Sequence, residues 1–297
     1  MRFIANLQRM YNLVGTIGIY KTFIICLQAV FFKPVKANYF YHKYSHKYLY
    51  NLIFITGLAK SGSTWFADMI CELEGYQQYV PIYWDIKKLM QNRDDYMNIY
   101  PGIGKEFRKK LAVVKGHTWG YEENIVSLQK EGISKYFITV RDPRDSLISE
   151  YWYVRKQKYH PDYLSAKTMD LGEYIEYKIN SGEFLKQRLN WIKMWIENRD
   201  SNNSQIIRYE DLLHDTYNEL EKAFSFIGIH VEKSEIERII NKYSFSTITG
   251  RTRGQEDTKS FVRKGVVGEW ETVFTQKQLN KIKKIWPGNL RKIGYYI

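Results

Sequence analysis

The sequence predicts an α/β fold. One domain over residues 46–297 is built on a parallel β-sheet flanked by helices, and an amphipathic helical appendage over residues 1–45 precedes it. Three observations predict it. Short runs of β-branched and aromatic residues, at 51–56, 111–115 and 135–140, read as strands buried on both faces. Two of these runs pass through a loop into apolar residues at helical spacing, the alternation that builds parallel sheets. The 297 residues are 44% hydrophobic with only six prolines, and no internal repeat or Pro/Gly/Ser-rich linker divides them, so one body is expected.

At the N-terminus, Phe3, Leu7, Met10, Val14 and Ile17 recur at helical spacing with Arg2 and Arg9 between them, which reads as an amphipathic helix. The apolar run that follows, residues 22–32, is shorter than the ~20 residues a spanning helix needs. The appendage is therefore read as packed on the body, with peripheral membrane contact as the second reading and a signal or anchor as the third. A net charge of +13 and a pI near 9.4 call for an anionic partner: nucleotide, nucleic acid or anionic membrane. Two cysteines, Cys26 and Cys71, build neither a disulfide framework nor a metal spacing, so a reducing, cytoplasmic setting is expected.

The strand at 51–56 runs into Gly57-Leu58-Ala59-Lys60-Ser61-Gly62-Ser63-Thr64-Trp65, followed by Phe66, Met69, Ile70 and Leu73 on one helical face. A strand, glycine-bearing loop and helix in this order aim backbone N–H groups and the positive helix end at one point, an anion site. Gly62 lets the backbone approach a phosphate, and Lys60, Ser61, Ser63 and Thr64 add donors. The loop is P-loop-like without being a Walker A motif. Ser63 follows the second glycine where that motif has lysine, and Lys60 stands two places before it.

These residues resemble the first phosphate loop of the cytosolic-type sulfotransferases that use 3'-phosphoadenosine-5'-phosphosulfate (PAPS), Pro-Lys-Ser-Gly-Thr-Thr-Trp, with Ala59 in place of the proline. Two further segments resemble the same family. Arg141-Asp142-Pro143-Arg144-Asp145 follows the third strand run, with Asp142 as a helix cap, Pro143 at the first helical position and Ser149 eight residues after the arginine. Phe261 to Trp270 contains Arg263-Lys264-Gly265 and Gly268-Glu269-Trp270, where the family reads Arg-Lys-Gly-x-x-Gly-Asp-Trp. The resemblance covers residues 51 to 275 with all segments in family order.

It implies that Arg141, Ser149, Arg263, Lys264 and Gly265 hold the 3'-phosphate of PAPS, that Phe261 covers the nucleotide, and that Trp65, Tyr209 and Phe245 line the adenine. It also implies restraint of Lys60 by Ser149. The family's dimer motif, Lys-x3-Thr-Val-x3-Glu, overlays Glu271, Thr275-Gln276 and Asn280, so only the threonine is kept and the usual dimer is not expected.

The run at 111–115 delivers Lys115, Gly116 and His117 to a strand end, where binding crevices of open parallel sheets form. A neutral imidazole, reference pKa ~6.5, accepts the proton of an attacking hydroxyl or amine, so His117 is the expected general base. Lys60 is placed to stabilise charge on the departing nucleotide oxygen, with Lys115 assisting. The other five histidines, His42, His46, His160, His214 and His230, lack such a setting and read as surface or core residues. No carboxylate cluster calls for a metal.

The acceptor is expected to be a small molecule bound by Tyr83, Trp84, Trp119, Tyr121 and Trp152, with Tyr151 nearby and Glu122 and Glu123 favouring a polar or cationic group. Two rival functions follow from the same features. A kinase using the 57–64 loop would need Mg²⁺ and an aspartate to hold it. A binder of nucleic acid or anionic membrane would use the net charge, but the basic residues are spread along the chain without a recognition motif, so no nucleic-acid partner is expected.

Overall fold

The computed structural model describes residues 33–84, 98–158 and 160–297. The helix expected over residues 3–17 and the apolar run at 22–32 lie outside the described residues. A helix, α1 (Lys33–Tyr44), precedes five strands: β1 (Leu52–Gly57), β2 (Gln77–Tyr79), β3 (Ala112–Gly116), β4 (Tyr136–Val140) and β5 (Ser204–Arg208). Their order in the sheet is β2-β3-β1-β4-β5, and every neighbouring pair is parallel. All five carboxyl ends therefore share one edge.

Successive residues of a strand face opposite sides of a sheet, so a strand buried on both sides must be apolar throughout. On one side, Phe54, Val114 and Ile138 meet Leu128 of α2 (Glu122–Lys130), Leu147 of α3 (Pro143–Val154), Ile175 of α4 (Leu171–Asn180) and Trp195 of α5 (Asn190–Asn198). On the other, Ile53, Ile55, Val113 and Phe137 meet Phe66 and Ile70 of the helix Ser63–Ile70, Phe224 of the helix Thr216–Phe226 and Ile239 of the helix Lys233–Lys242. Burying one such side chain contributes about 1.5–3 kcal/mol. The strand runs read from sequence hold within a residue; β2 was unread because Gln77, Gln78 and Tyr79 form a short, polar edge without the apolar signature.

The expected start of α3 is present: Asp142 accepts a hydrogen bond from the Arg144 backbone and Pro143 stands at the first helical position. The helix is buried nearly all round, polar residues included. Arg144 grips Asp142 at 2.6 Å and lies over the Trp270 ring, while Glu150 meets Arg188 at 2.5 Å. Buried charges persist only when paired in this way. Thr275, the survivor of the dimer motif, caps the helix Gln276–Ile285 in a capping box with Gln278, which accounts for it locally. Among the described residues no helix is long and apolar enough to cross a membrane.

Candidate active site

The carboxyl edge of the sheet gathers the residues singled out in the sequence. From β1 the chain enters the loop 57–62 and then the helix Ser63–Ile70. Gly62 caps that helix at φ 78°, and a Cβ there would lie 2.7 Å from the Tyr209 ring. Gly57 is equally confined, since a Cβ would lie 2.2 Å from Thr139 Oγ1. Lys60 is the one non-glycine residue with positive φ, 67°, among the described residues. That conformation costs an L-residue about 1–2 kcal/mol. It is kept by a hydrogen bond from Ser61 N to Leu58 O at 3.1 Å and a 2.8 Å contact between the Ser61 and Thr139 hydroxyls.

The Lys60 ammonium lies 4.3 Å from the centre of the Phe261 ring and 4.4 Å from that of Tyr153. A cation between two ring faces is attracted by both quadrupoles. Burial, then the positive charges of Arg141 and Lys156, lower its pKa to about 8, against a smaller opposing pull from Glu150. Lys60 is held by the rings and not by the Ser149 hydroxyl expected to restrain it; Ser149 is half-buried one turn earlier on α3. Lys115 reaches the loop from β3, 3.3 Å from Thr64 Oγ1, and burial lowers its pKa as well.

His117 leaves β3 beside this loop. Its Nδ1 lies 2.6 Å from the Gly57 carbonyl, so Nδ1 carries the hydrogen and Nε2 is the basic nitrogen. Bonds from Thr56 Oγ1 and Trp195 Nε1 to the Thr118 carbonyl, each 3.0 Å, fix the turn that presents it. Burial pulls its pKa down to about 4, with Lys115 and Lys60 acting the same way and the Gly57 bond opposing them. The imidazole is therefore neutral at pH 7.

Arg141, at the end of β4, donates to the Val266 carbonyl at 2.9 Å and lies 4.3 Å from the centre of the Tyr209 ring. It thus joins the phosphate loop side to the segment 261–270. Asp145, one turn into α3, accepts from Gly268 N at 2.7 Å and Trp270 N at 3.0 Å, and it faces Arg141 at 3.7 Å. Neither Asp145 nor Tyr153 was singled out in the sequence. Asp145 closes the Arg141–Asp145 run already read in the sequence, and Tyr153 stands one helical turn after Ser149 on α3, so each had a signal that could have found it.

Within the segment, Arg263 pairs with Glu256 and with both oxygens of Glu269, and Lys264 lies 3.2 Å from Glu269. Gly265, at φ 65°, passes so close to Phe245 that a Cβ would lie 2.4 Å from its ring. Trp65 donates to the Tyr243 carbonyl at 2.9 Å and meets Tyr209 edge-on at 6.2 Å. Tyr209 therefore packs on Gly62 and Phe245 on Gly265, with Trp65 edge-on to Tyr209.

Two buried donors in this region have no acceptor: Arg141 Nε and Trp152 Nε1. An unmet buried donor costs about 1–3 kcal/mol, so a ligand with several oxygens fits the place. The Trp152 ring stands 5.7 Å from the Arg263 guanidinium, beside the nucleotide segment rather than among the acceptor aromatics. Trp84 lies in the core, 2% exposed, edge-on to Phe54 and donating to the Asn98 carbonyl. Trp119 stacks on the partly exposed Tyr121 at 5.6 Å and 13°, and Tyr83 lies against Tyr100 at 4.8 Å with the rings tilted by 32°. Tyr151 is buried against Tyr174, and the exposed Glu122 and Glu123 occupy the first turn of α2.

Comparison with known proteins identifies the family and the fold. The chain is 24% identical over 241 residues to a guinea-pig (Cavia porcellus) 3-beta-hydroxysteroid sulfotransferase, covering 76% of this chain and 79% of that one. It is 23% identical over 249 residues to the human sulfotransferase 2A1, covering 79% and 82%. Among solved structures, a mouse sulfotransferase complexed with PAP superposes with a TM-score of 0.59 at 24% identity, covering 79% and 83%. A retinol dehydratase in complex with androsterone and PAP superposes at 0.54 with 16% identity, covering 87% of each chain. Those superpositions speak to the fold. The family model described as the sulfotransferase domain matches residues 51–294, the whole sheet and every site segment, and the chain belongs to that family.

Proposed function

We propose that this chain moves the sulfuryl group of PAPS to a hydroxyl or amine of a small molecule, with His117 as general base and Lys60 at the leaving oxygen. The observation that carries the site assignment is the convergence of Lys60, His117, Arg141 and the segment 261–270 on one edge of the sheet. PAPS supplies an activated sulfur whose bond to the 5'-phosphate oxygen breaks as the acceptor oxygen or nitrogen bonds to it. His117 Nε2 takes the acceptor's proton. The Lys60 ammonium, charged at pH 7, neutralises the oxygen that leaves with the bond's electrons. The loop 57–62 and the start of the following helix hold the 5'-phosphate. Arg141, Ser149, Arg263, Lys264 and the Gly265 amide hold the 3'-phosphate, and Trp65, Tyr209 and Phe245 hold the base.

Because two relatives are named for hydroxysteroids or bound to androsterone, an apolar alcohol is the first acceptor to test. The Trp119–Tyr121 stack gives such a molecule an aromatic surface. Calorimetry tests the nucleotide part. Charge-assisted hydrogen bonds contribute about 1.5–3 kcal/mol each, so PAP should bind at least ~100-fold more tightly than 5'-AMP. Arg263→Ala should shrink that preference by weakening PAP alone. Equal wild-type affinities would overturn the assignment.

A peripheral contact with anionic membrane is the second reading, favoured by one feature of the charge distribution. Residues 1–67 contain eight Lys and Arg and no Asp or Glu. In α1, Lys36, Tyr39 and Lys43 are exposed. Sedimentation with phosphatidylserine vesicles, but not with phosphatidylcholine vesicles, supports it; equal binding to both or to neither removes it.

A further inference from the structure

The geometry points to Glu269 as an internal competitor for the 3'-phosphate: its carboxylate occupies the cations of Arg263 and Lys264 and must leave them for the nucleotide to bind. The inference rests on the nucleotide reading above. Both oxygens of Glu269 engage the Arg263 guanidinium, and one lies 3.2 Å from the Lys264 ammonium. Arg263 and Glu269 are each about nine-tenths buried as side chains, so their pairing is little screened. Glu256 adds a second carboxylate to Arg263. Two cations and two carboxylates make the cluster neutral, while a dianionic phosphate needs it positive.

The carboxylate also has the chemistry of a stand-in. A planar, two-oxygen acceptor fits the guanidinium fork in the same way as a phosphate edge. Burial alone would raise the Glu269 pKa, but its bonds to Arg263 and Lys264 outweigh that and hold it below the ordinary value. Glutamate stands here where the resembling motif has aspartate, and the extra methylene lengthens its reach. The segment does not need Glu269 for its anchorage. Gly268 N and Trp270 N bind Asp145 on either side of it, and Arg141 binds the Val266 carbonyl.

Displacement has two consequences. Nucleotide affinity is reduced by the energy of breaking the pair, and return of Glu269 to Arg263 helps product PAP leave. Glu269→Gln keeps shape and removes charge. It should tighten PAP by ~10-fold or more, the equivalent of one charge-assisted bond no longer broken, and leave 5'-AMP within about twofold. Glu269→Asp, charged but one methylene shorter, should fall between, and it serves if the glutamine variant does not fold.

Calorimetry with PAP and 5'-AMP on wild type and both variants decides the matter. PAP binding that is unchanged or weakened in a folded glutamine variant overturns the proposal and makes Glu269 a support that positions Arg263. That result is distinct from failure of the nucleotide reading, in which wild type itself binds PAP and 5'-AMP alike.

Discussion

Replacing His117 by alanine should lower sulfuryl transfer roughly 10²- to 10⁴-fold, the usual contribution of a positioned base. The structure narrows what else should change. His117 follows β3 and is tied to the backbone carbonyl of Gly57 at the end of β1, whereas the phosphate-binding side chains come from residues 60–65, the end of β4 and the segment 261–270. PAP affinity should therefore stay within about twofold of wild type. The pH dependence is sharper still. An ordinary histidine base would lose activity below its pKa of ~6.5.

Burial lowers this pKa to about 4, so in wild type kcat/KM should stay flat as pH falls from 7 toward 5 and drop only as it passes through about 4. On the alkaline side Lys60 must stay protonated, and kcat/KM should fall as pH rises through about 8. In kcat that alkaline limb should lie higher, because bound donor phosphates favour the ammonium. Initial rates across this range, with calorimetry at pH 7, form the assay. An acid limb near pH 6.5, or a His117→Ala enzyme that keeps full turnover, refutes the reasoning.

Lys60→Ala should slow the single-turnover rate and also weaken PAPS binding, since the side chain meets the donor before and during transfer; an unchanged rapid-quench rate removes it from the chemistry. Phe261→Ala takes away one face of the cage around Lys60, worth about 0.5–1 kcal/mol for an exposed ring, so kcat should fall by only a few-fold. Because burial is the main cause of the lowered Lys60 pKa, the same variant should move the alkaline limb upward, and a limb that stays near 8 contradicts the cage. Asp145→Ala orphans two backbone donors and should cost about 2–4 kcal/mol in urea unfolding while weakening PAP at least ~10-fold; normal stability with normal affinity denies its anchoring role.

Much of this was legible in the chain because local chemistry and topology agree. The runs at 51–56, 111–115 and 135–140 form β1, β3 and β4 because buried parallel strands must be apolar on both faces, a requirement that leaves a mark in the sequence. Asp142-Pro143 starts α3 because cap and ring geometry are local. What escaped depends on contacts far apart in sequence. No pattern says that Phe261 covers Lys60, or that Lys60 must take positive φ to lie beneath it. Glu269 was read as one letter of a motif, whereas its grip on Arg263 and Lys264 appears only once the segment is folded back. Trp84 and Trp119 look alike as aromatics near a motif, and only packing separates the core ring from the partly exposed one.

Turnover itself tests the central claim most directly. Sulfur-labelled PAPS and labelled adenosine 5'-phosphosulfate, which lacks the 3'-phosphate, should be offered with an apolar alcohol in excess EDTA. The account predicts transfer from PAPS without added metal, and a kcat/KM for adenosine 5'-phosphosulfate at least ~100-fold lower, because Arg141, Arg263 and Lys264 then have no phosphate to hold. Equal use of both donors, or transfer that stops until Mg²⁺ is restored, would contradict it.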